Sequence, residues 1–172
     1  MDSVLYEVWQ GIRTDFADLP SVREGTQLLL RLALAAFLGG VVGFQRERVG
    51  RAAGLRTHML VALGSAFFLV VPVQAGMPLG DISRVLQGLM AGIGFLGAGT
   101  IMKRQGHIEG LTTAASLWLT AAVGVAAGLG RETSAVLATI FALIVLGIIP
   151  LMVAKGPQHD DGPEDGTELP TR

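Results

Sequence analysis

The stretch GLMAGIGFLGAG at 88–99 decides the fold, because it combines five glycines with apolar residues and carries no charge. It lies within an uncharged window at 85–102. Four more such windows occur, at 26–45 (interrupted only by Arg31), 57–80, 110–130 and 133–154. Each is close to the roughly 20 residues with which a helix crosses a bilayer core. The sequence therefore predicts about five transmembrane helices, the second of them shortened by Pro72.

Composition supports an all-α polytopic membrane helix bundle. Hydrophobic residues make up 51% of the 172 positions before the 24 glycines are counted, and only 16% are charged. Soluble domains carry about 25% charged residues. The absence of cysteine excludes a disulfide scaffold, and the net charge of -1 gives no support for nucleic acid as a partner. The windows lack the period-2 alternation of strands, so regular strands are not expected in them.

The N-terminal segment, 1–25, is predicted to be an extracytoplasmic amphipathic segment. Its charges break any apolar core of a cleavable signal. Apolar residues recur there at helical spacing: Val4, Leu5, Val8, Trp9, Ile12 and Phe16. A short helix lying in the headgroup region is therefore expected, with Tyr6 and Trp9 as anchors. The alternative is a flexible terminus that only touches lipid.

Lysine and arginine are concentrated in the loops at 45–56 and 103–111, which the positive-inside rule assigns to the cytoplasm. The N-terminus is then expected outside and the C-terminus inside. The transmembrane domain is predicted to cover 26–153. The segment 154–172 is acidic and rich in glycine and proline, so we expect a disordered cytoplasmic tail.

Glycine spacing suggests close helix contacts. Gly-x-x-x-Gly pairs lie in the first, third and fourth predicted helices, at 39/43, 88/92 and 124/128. Within 88–99 the glycines fall on opposite helical faces. This predicts either a central helix packed on both sides or a helix that unwinds locally to offer backbone groups to a ligand. The same stretch spells G-x-G-x-x-G, but without a preceding strand it is no dinucleotide site, and no cofactor is predicted.

The window at 110–130 has a polar face. Thr113, Ser116 and Thr120 share it with Gly124 and Ala127, while Trp118 lies on the other side. Two interpretations are open: hydrogen bonds between and within helices, or a hydrated path lined by hydroxyls.

Ionisable residues cluster at the predicted helix ends. Arg31 is expected to extend to the outer interface, and Glu47 is expected to be the internal carboxylate of an arginine cluster. Asp81 and Arg84 are spaced to form an ion pair, with Asp81 as a helix N-cap. His58 is interpreted as an interfacial residue.

Several motifs together carry a family resemblance: RER at 46–48, AGLRTHML at 53–60, D-x-x-R-x-x-Q at 81–87, GIGFLGAGTI at 92–101 and GLTTAASLW at 110–118. In this order and spacing they resemble the MgtC/SapB family of bacterial inner-membrane proteins. Two features depart from the family pattern. Glu109 stands where a basic or neutral polar residue is expected, and the acidic tail stands where many members continue into a soluble regulatory domain.

The resemblance implies a multi-pass protein of the inner membrane that acts in adaptation to low magnesium and, in pathogens, in survival inside host cells. It also implies regulation of other membrane machinery, including the ATP synthase. The residues that carry the resemblance or lie on the faces described above are candidates for function: Arg46, Glu47, Arg56, Thr57, Asp81, Arg84, Gln87, Gly92, Gly94, Gly97, Gly99, Thr112, Thr113 and Trp118.

Two functions follow as hypotheses. The first is a non-enzymatic regulator that lies in membrane lipid and docks onto a membrane protein or a second copy of itself. Its cytoplasmic face would include Arg46, Glu47, Arg56, Lys103 and Arg104. The second is a small transporter or channel for Mg²⁺ or another cation, with the glycines at 88–99 and the hydroxyls at 113–120 lining a path. No metal site and no catalytic set is predicted, because paired carboxylates and metal-ligand spacings are missing from the sequence.

Overall fold

A computed structural model describes residues 2–15, 21–104 and 107–153, and over these ranges the chain is an all-α bundle. The elements are α1 Asp2–Asp15, α2 Val22–Arg48, α3 Leu55–Gln74, α4 Leu79–Gly99, β1 Met102–Arg104, β2 His107–Glu109, α5 Leu111–Gly128 and α6 Glu132–Val153. The predicted fold class is confirmed. The tail at 154–172 and Phe16 lie outside the described residues.

Four helices, α2 to α5, are long and apolar enough to cross a membrane. The last predicted span, α6, is helical over Glu132–Val153, and its apolar stretch Glu132–Ile148 is shorter than the other four. That α6 also crosses the bilayer stays a prediction. As expected, α3 ends soon after Pro72, at Gln74, and the chain then turns through Gly76.

The core forms where α2, α3 and α5 pack together at backbone distance. A Cβ atom on Gly39 would lie 2.6 Å from the carbonyl oxygen of His58, and one on Gly128 would lie 2.6 Å from that of Ala66. Gly43 and Gly124 meet the backbone of α3 in the same way. Two of the three predicted glycine contacts are therefore confirmed. The buried apolar cluster around them is small in side-chain volume: Ala35, Leu38, Ala62, Ala66, Val123, Ala127 and Ala135.

The prediction that 88–99 forms the closely packed centre is wrong. Among the described residues, no atom outside the helix's own backbone and chain neighbours lies within 4 Å of a Cβ placed on Gly88, Gly92, Gly94 or Gly99. Of the glycines at 88–99, only Gly97 differs: a Cβ placed on it would lie 3.5 Å from the Cβ of Ala114 in α5. The helix is also continuous from Leu79 to Gly99, so the locally unwound alternative is not found. Spacing indicates that glycines share a face but not whether a neighbour covers that face.

Two local features lie outside the bundle. The N-terminal segment is helical as predicted, and its apolar residues, including Tyr6 and Trp9, are exposed. The loop predicted at 103–111 contains a short antiparallel hairpin in which Lys103 pairs with Ile108. These strands were not expected, because three-residue strands leave too little sequence for a period-2 pattern.

Candidate functional site

Most of the polar candidate residues meet at one end of the bundle. We call this the Arg46 end; it comprises the last turn of α2, the turn at 49–54, the first turns of α3 and α5, and the hairpin. Arg46 and Arg51 line a cavity of about 300 Å³ there together with Glu109 and Thr112. The two loops that sequence analysis assigned to one membrane face therefore lie side by side. Which face of the membrane they occupy stays a prediction.

Arg46 is buried, with only 4% of its surface exposed. Its Nη2 donates a hydrogen bond to Oγ1 of Thr113 at 3.1 Å, which joins the end of α2 to the start of α5. Its buried Nε has no hydrogen-bond partner among the described residues. A candidate expected on a docking surface is thus part of the interior, in a region where Gly43 of α2 meets the start of α3 at backbone distance.

Glu47 caps the start of α3. Its Oε2 accepts a hydrogen bond from the backbone N–H of Leu55 at 2.8 Å. Glu47 was expected to be the internal carboxylate of an arginine cluster; the salt bridge found among the described residues joins Asp81 and Arg84, and the hydrogen bond of Glu47 is with α3. The first N–H groups of a helix lack partners, and Gly54 at the N-cap has no side chain to supply one. The carboxylate fills that role.

We predict that Glu47→Ala lowers stability by about 1 kcal/mol, the usual cost of losing a helix cap. Thermal unfolding of the purified protein should then shift down by about 2–4 °C. Glu47→Gln is the matched control, because its amide oxygen can still accept the bond from Leu55. Equal shifts for the two variants would contradict the capping role.

His58 lies in the interior of the bundle. It is fully buried, and its Nδ1 donates to the carbonyl oxygen of Gly54 at 3.0 Å. Its Nε2 lies 3.3 Å from Oγ of Ser116. The interfacial interpretation was therefore wrong. A sequence signal existed: the polar face of α5 needs a polar neighbour, and His58 is one of the few polar residues in the apolar window at 57–80.

The polar face of α5 is a buried hydrogen-bonding surface. The Ser116 hydroxyl donates to the carbonyl oxygen of Thr113 and the Thr120 hydroxyl to that of Ser116, each at 2.8 Å. The first of the two sequence interpretations is thus confirmed. The face points toward Arg46 and His58 and away from the open glycines of α4, so the two sets do not line one path within a single chain. Trp118 lies on the other side and is 47% exposed.

Other candidates lie away from the Arg46 end. Asp81 and Arg84 form the expected pair, with 3.5 Å between Oδ1 and Nη1, at the start of α4. Asp81 is not the N-cap, which is Pro78; it lies in the first turn instead, where a carboxylate also favours the helix dipole. Gln87 is exposed on α4. Arg56 and Thr57 are exposed too, but they lie in the first turn of α3 and therefore belong to the Arg46 end.

Arg31 was expected to extend to the outer interface, and in the structure it reaches the C-terminal end of α5. Its Nη1 donates to the carbonyl oxygen of Gly128 at 3.3 Å, so it satisfies the C-terminal end of α5. This contact is favourable because the free carbonyl groups at the C-terminal end of a helix attract a cation.

The open side of α4 forms a groove with α3. This α3–α4 groove has a volume of about 510 Å³ and is lined by Phe68, Gly88, Gly92, Ile93 and Leu96, with Arg84 at one end. Because Gly88 and Gly92 have no side chains, the backbone of α4 forms the floor. An approaching helix could therefore reach α4 at close range.

These features define a multi-pass membrane protein built as a glycine-packed helix bundle with a polar interior at one end. The chain belongs to the MgtC family, whose model matches residues 32–154. It is 46% identical over 132 residues to the protein SrpB of Synechococcus elongatus, covering 69% of this chain and 72% of that one. It is 40% identical over 132 residues to the putative magnesium transporter YhiD of Escherichia coli, covering 71% of this chain and 60% of that one.

A third relative is the protein MgtC of Brucella abortus, which is 46% identical over 124 residues. That match covers 71% of this chain but about half, 51%, of the Brucella protein. The chain thus spans only part of these longer relatives. No solved structure matches it.

Proposed function

We propose that this chain is a non-enzymatic membrane regulator of magnesium homeostasis that acts by binding a transmembrane helix of another membrane protein. The observation that carries the proposal is the α3–α4 groove. The glycines of α2 and α5 are already in contact with α3, whereas Gly88 and Gly92 leave the backbone of α4 open. Close approach over small residues is what drives helix association in lipid, where apolar surface alone gives no preference.

The link to magnesium rests on relatives. One is named a putative magnesium transporter, and the family bears the name of the MgtC protein. Regulation is favoured over transport because the side chains that could line a path on α5 already make hydrogen bonds within the protein. Arg46 bonds to Thr113, and the hydroxyls of α5 bond to carbonyl groups of their own helix.

The test is a substitution that fills the α3–α4 groove. In a bacterial host that depends on this chain for growth in low magnesium, Gly92→Leu should abolish growth, because a leucine there occupies the floor of the groove. Gly147→Leu is the matched control: a Cβ at Gly147 also meets no described atom within 4 Å, but Gly147 lies on α6, away from the groove. Both variants should be produced and inserted equally, as checked by immunoblot of membranes.

A photo-crosslinker at position 68 should capture one defined membrane protein, and Gly92→Leu should remove that product while Gly147→Leu leaves it. A homodimer product would identify a second copy of this chain as the partner. If Gly92→Leu leaves growth and every crosslink intact, the docking function is wrong.

A transport function is the second candidate, and the printed name of the Escherichia coli relative favours it. Purified protein in proteoliposomes would then carry Mg²⁺ down a gradient faster than empty vesicles do. We expect no such flux from this chain. Flux that Gly92→Leu does not alter would support transport and overturn the docking proposal.

A further inference from the structure

The cavity at the Arg46 end has the features of an anion site. It measures about 300 Å³ and lies between the end of α2, the turn that carries Arg51, strand β2 and the start of α5. Its charged lining consists of two arginines and one carboxylate, Glu109. The nominal charge of the lining is therefore positive, in a place where the end of α2 and the start of α5 meet.

Arg46 supplies the strongest argument. Its guanidinium is buried, and the hydrogen bond to Thr113 uses only Nη2, while Nε has no partner among the described residues. A buried cation with unused donors is costly unless an anion or further acceptors meet it. Among the described residues no carboxylate forms a salt bridge with Arg46. The neighbouring Glu47 accepts a hydrogen bond from Leu55 instead. An anion in the cavity would place a negative charge beside Arg46, which lines the cavity, although the enclosed Nε itself is out of its reach.

The start of α5 faces the same cavity. Gly110 precedes the helix with a left-handed backbone (φ 91°) and makes no side-chain cap, so the first N–H groups of α5 are left without one. The first intrahelical bond runs from Ala114 N to Gly110 O at 2.9 Å. A Cβ at Gly110 would collide with the carbonyl group of Thr100, so glycine is required there. Helix N-termini with free N–H groups bind phosphate and similar anions.

We propose that this cavity binds a phosphate-type oxyanion, supplied either by the headgroup of an anionic phospholipid or as free inorganic phosphate. Guanidinium groups match the oxygens of phosphate in geometry, and the N–H groups of α5 and the hydroxyl of Thr112 add neutral donors. Ile108 and Leu111 also line the cavity and are exposed, so an acyl chain has apolar surface beside the headgroup. The carboxylate of Glu109 weakens anion binding but leaves the nominal charge of the lining positive.

The test uses the full chain in nanodiscs, with two arms. In the first arm, the discs contain only phosphatidylcholine and inorganic phosphate is titrated by calorimetry. In the second arm, the protein is extracted from discs containing phosphatidylglycerol, and native mass spectrometry counts the phosphatidylglycerol molecules that stay bound. Binding in the first arm assigns the site to free phosphate. Retained lipid in the second arm, without phosphate binding in the first, assigns it to a phospholipid headgroup.

Variants locate the binding. Arg51→Gln should weaken it about tenfold, because one charge-assisted contact is lost from an exposed side chain that the fold does not need. Glu109→Gln should strengthen it several-fold by removing the opposing charge. Arg48→Gln is the matched control: Arg48 lies nearby, over the ring of Phe44 at 4.5 Å, and does not line the cavity.

Two results would overturn the proposal: no binding in either arm, or equal weakening by Arg51→Gln and Arg48→Gln, which would indicate only a general effect of charge. Binding of a purified chain does not depend on the α3–α4 groove. Its outcome is therefore separate from that of the docking proposal.

Discussion

Gly124→Ala should destabilise the bundle by about 3 kcal/mol, at the upper end of the cost of overpacking. The added methyl group would collide with the backbone carbonyl of Ala62 in α3, and backbone atoms cannot move aside as a flexible side chain can. Gly128 is held in the same way against Ala66, one turn further along. The two helices would have to separate along their whole contact, and the buried cluster between them would open.

The measurement is thermal unfolding of the purified protein, where a fall on the order of 10 °C is expected. Gly88→Ala is the matched control, since it adds the same methyl group to an open face of α4. It should leave the transition unchanged or raise it slightly, because alanine favours a helix by up to about 1 kcal/mol over glycine. Similar losses at both positions would contradict the assignment of α2, α3 and α5 as the core.

His58→Ala is expected to cost about 3 kcal/mol as well, for a different reason. The substitution removes a fully buried ring, leaves a cavity between α3 and α5, and takes away the ring donor to Gly54 and the polar neighbour of Ser116. The helices cannot readily move together to fill this cavity, because the glycines of α2 already hold α3 at backbone distance.

The variants are compared by thermal unfolding in the same detergent. Thr57→Ala is the control on the same turn of α3, where the side chain is exposed, and it should change stability by less than about 0.5 kcal/mol. His58→Gln should lie between the two, because its amide can still donate a hydrogen bond. If His58→Ala and Thr57→Ala unfold at the same temperature, the ring of His58 does not stabilise the fold.

Much of the fold could be predicted because the bilayer limits the options. Apolar windows of about 20 residues indicate spanning helices, and the predicted positions of α2, α3 and α5 agree with the structure. The polar face of α5 was also readable, since Thr113, Ser116 and Thr120 recur at helical spacing. The short hairpin was not, because two strands of three residues carry no periodic signal.

The site was harder to predict, because it depends on which helices are neighbours. Arg46 and Glu47 are adjacent in sequence and look alike as polar residues at a helix end. In the structure, one is buried against Thr113 and the other caps α3. The glycine pairs 88/92 of α4 and 124/128 of α5 have equal spacing, yet of these only Gly124 and Gly128 meet the backbone of another helix. Neither distinction is present in a single sequence, since both follow from the order in which helices pack.

The bonds made by Arg31 and Arg46 have a further consequence when taken together. Arg31 reaches Gly128 and Arg46 reaches Thr113, so fifteen residues separate the two arginines and fifteen separate their acceptors. Helices α2 and α5 are thus fixed antiparallel at two points about 22 Å apart, at about 1.5 Å per residue. Sliding one helix along the other by a single turn would break both bonds at once. The two bonds therefore fix the register of α2 and α5, and the remaining helices pack against this fixed pair.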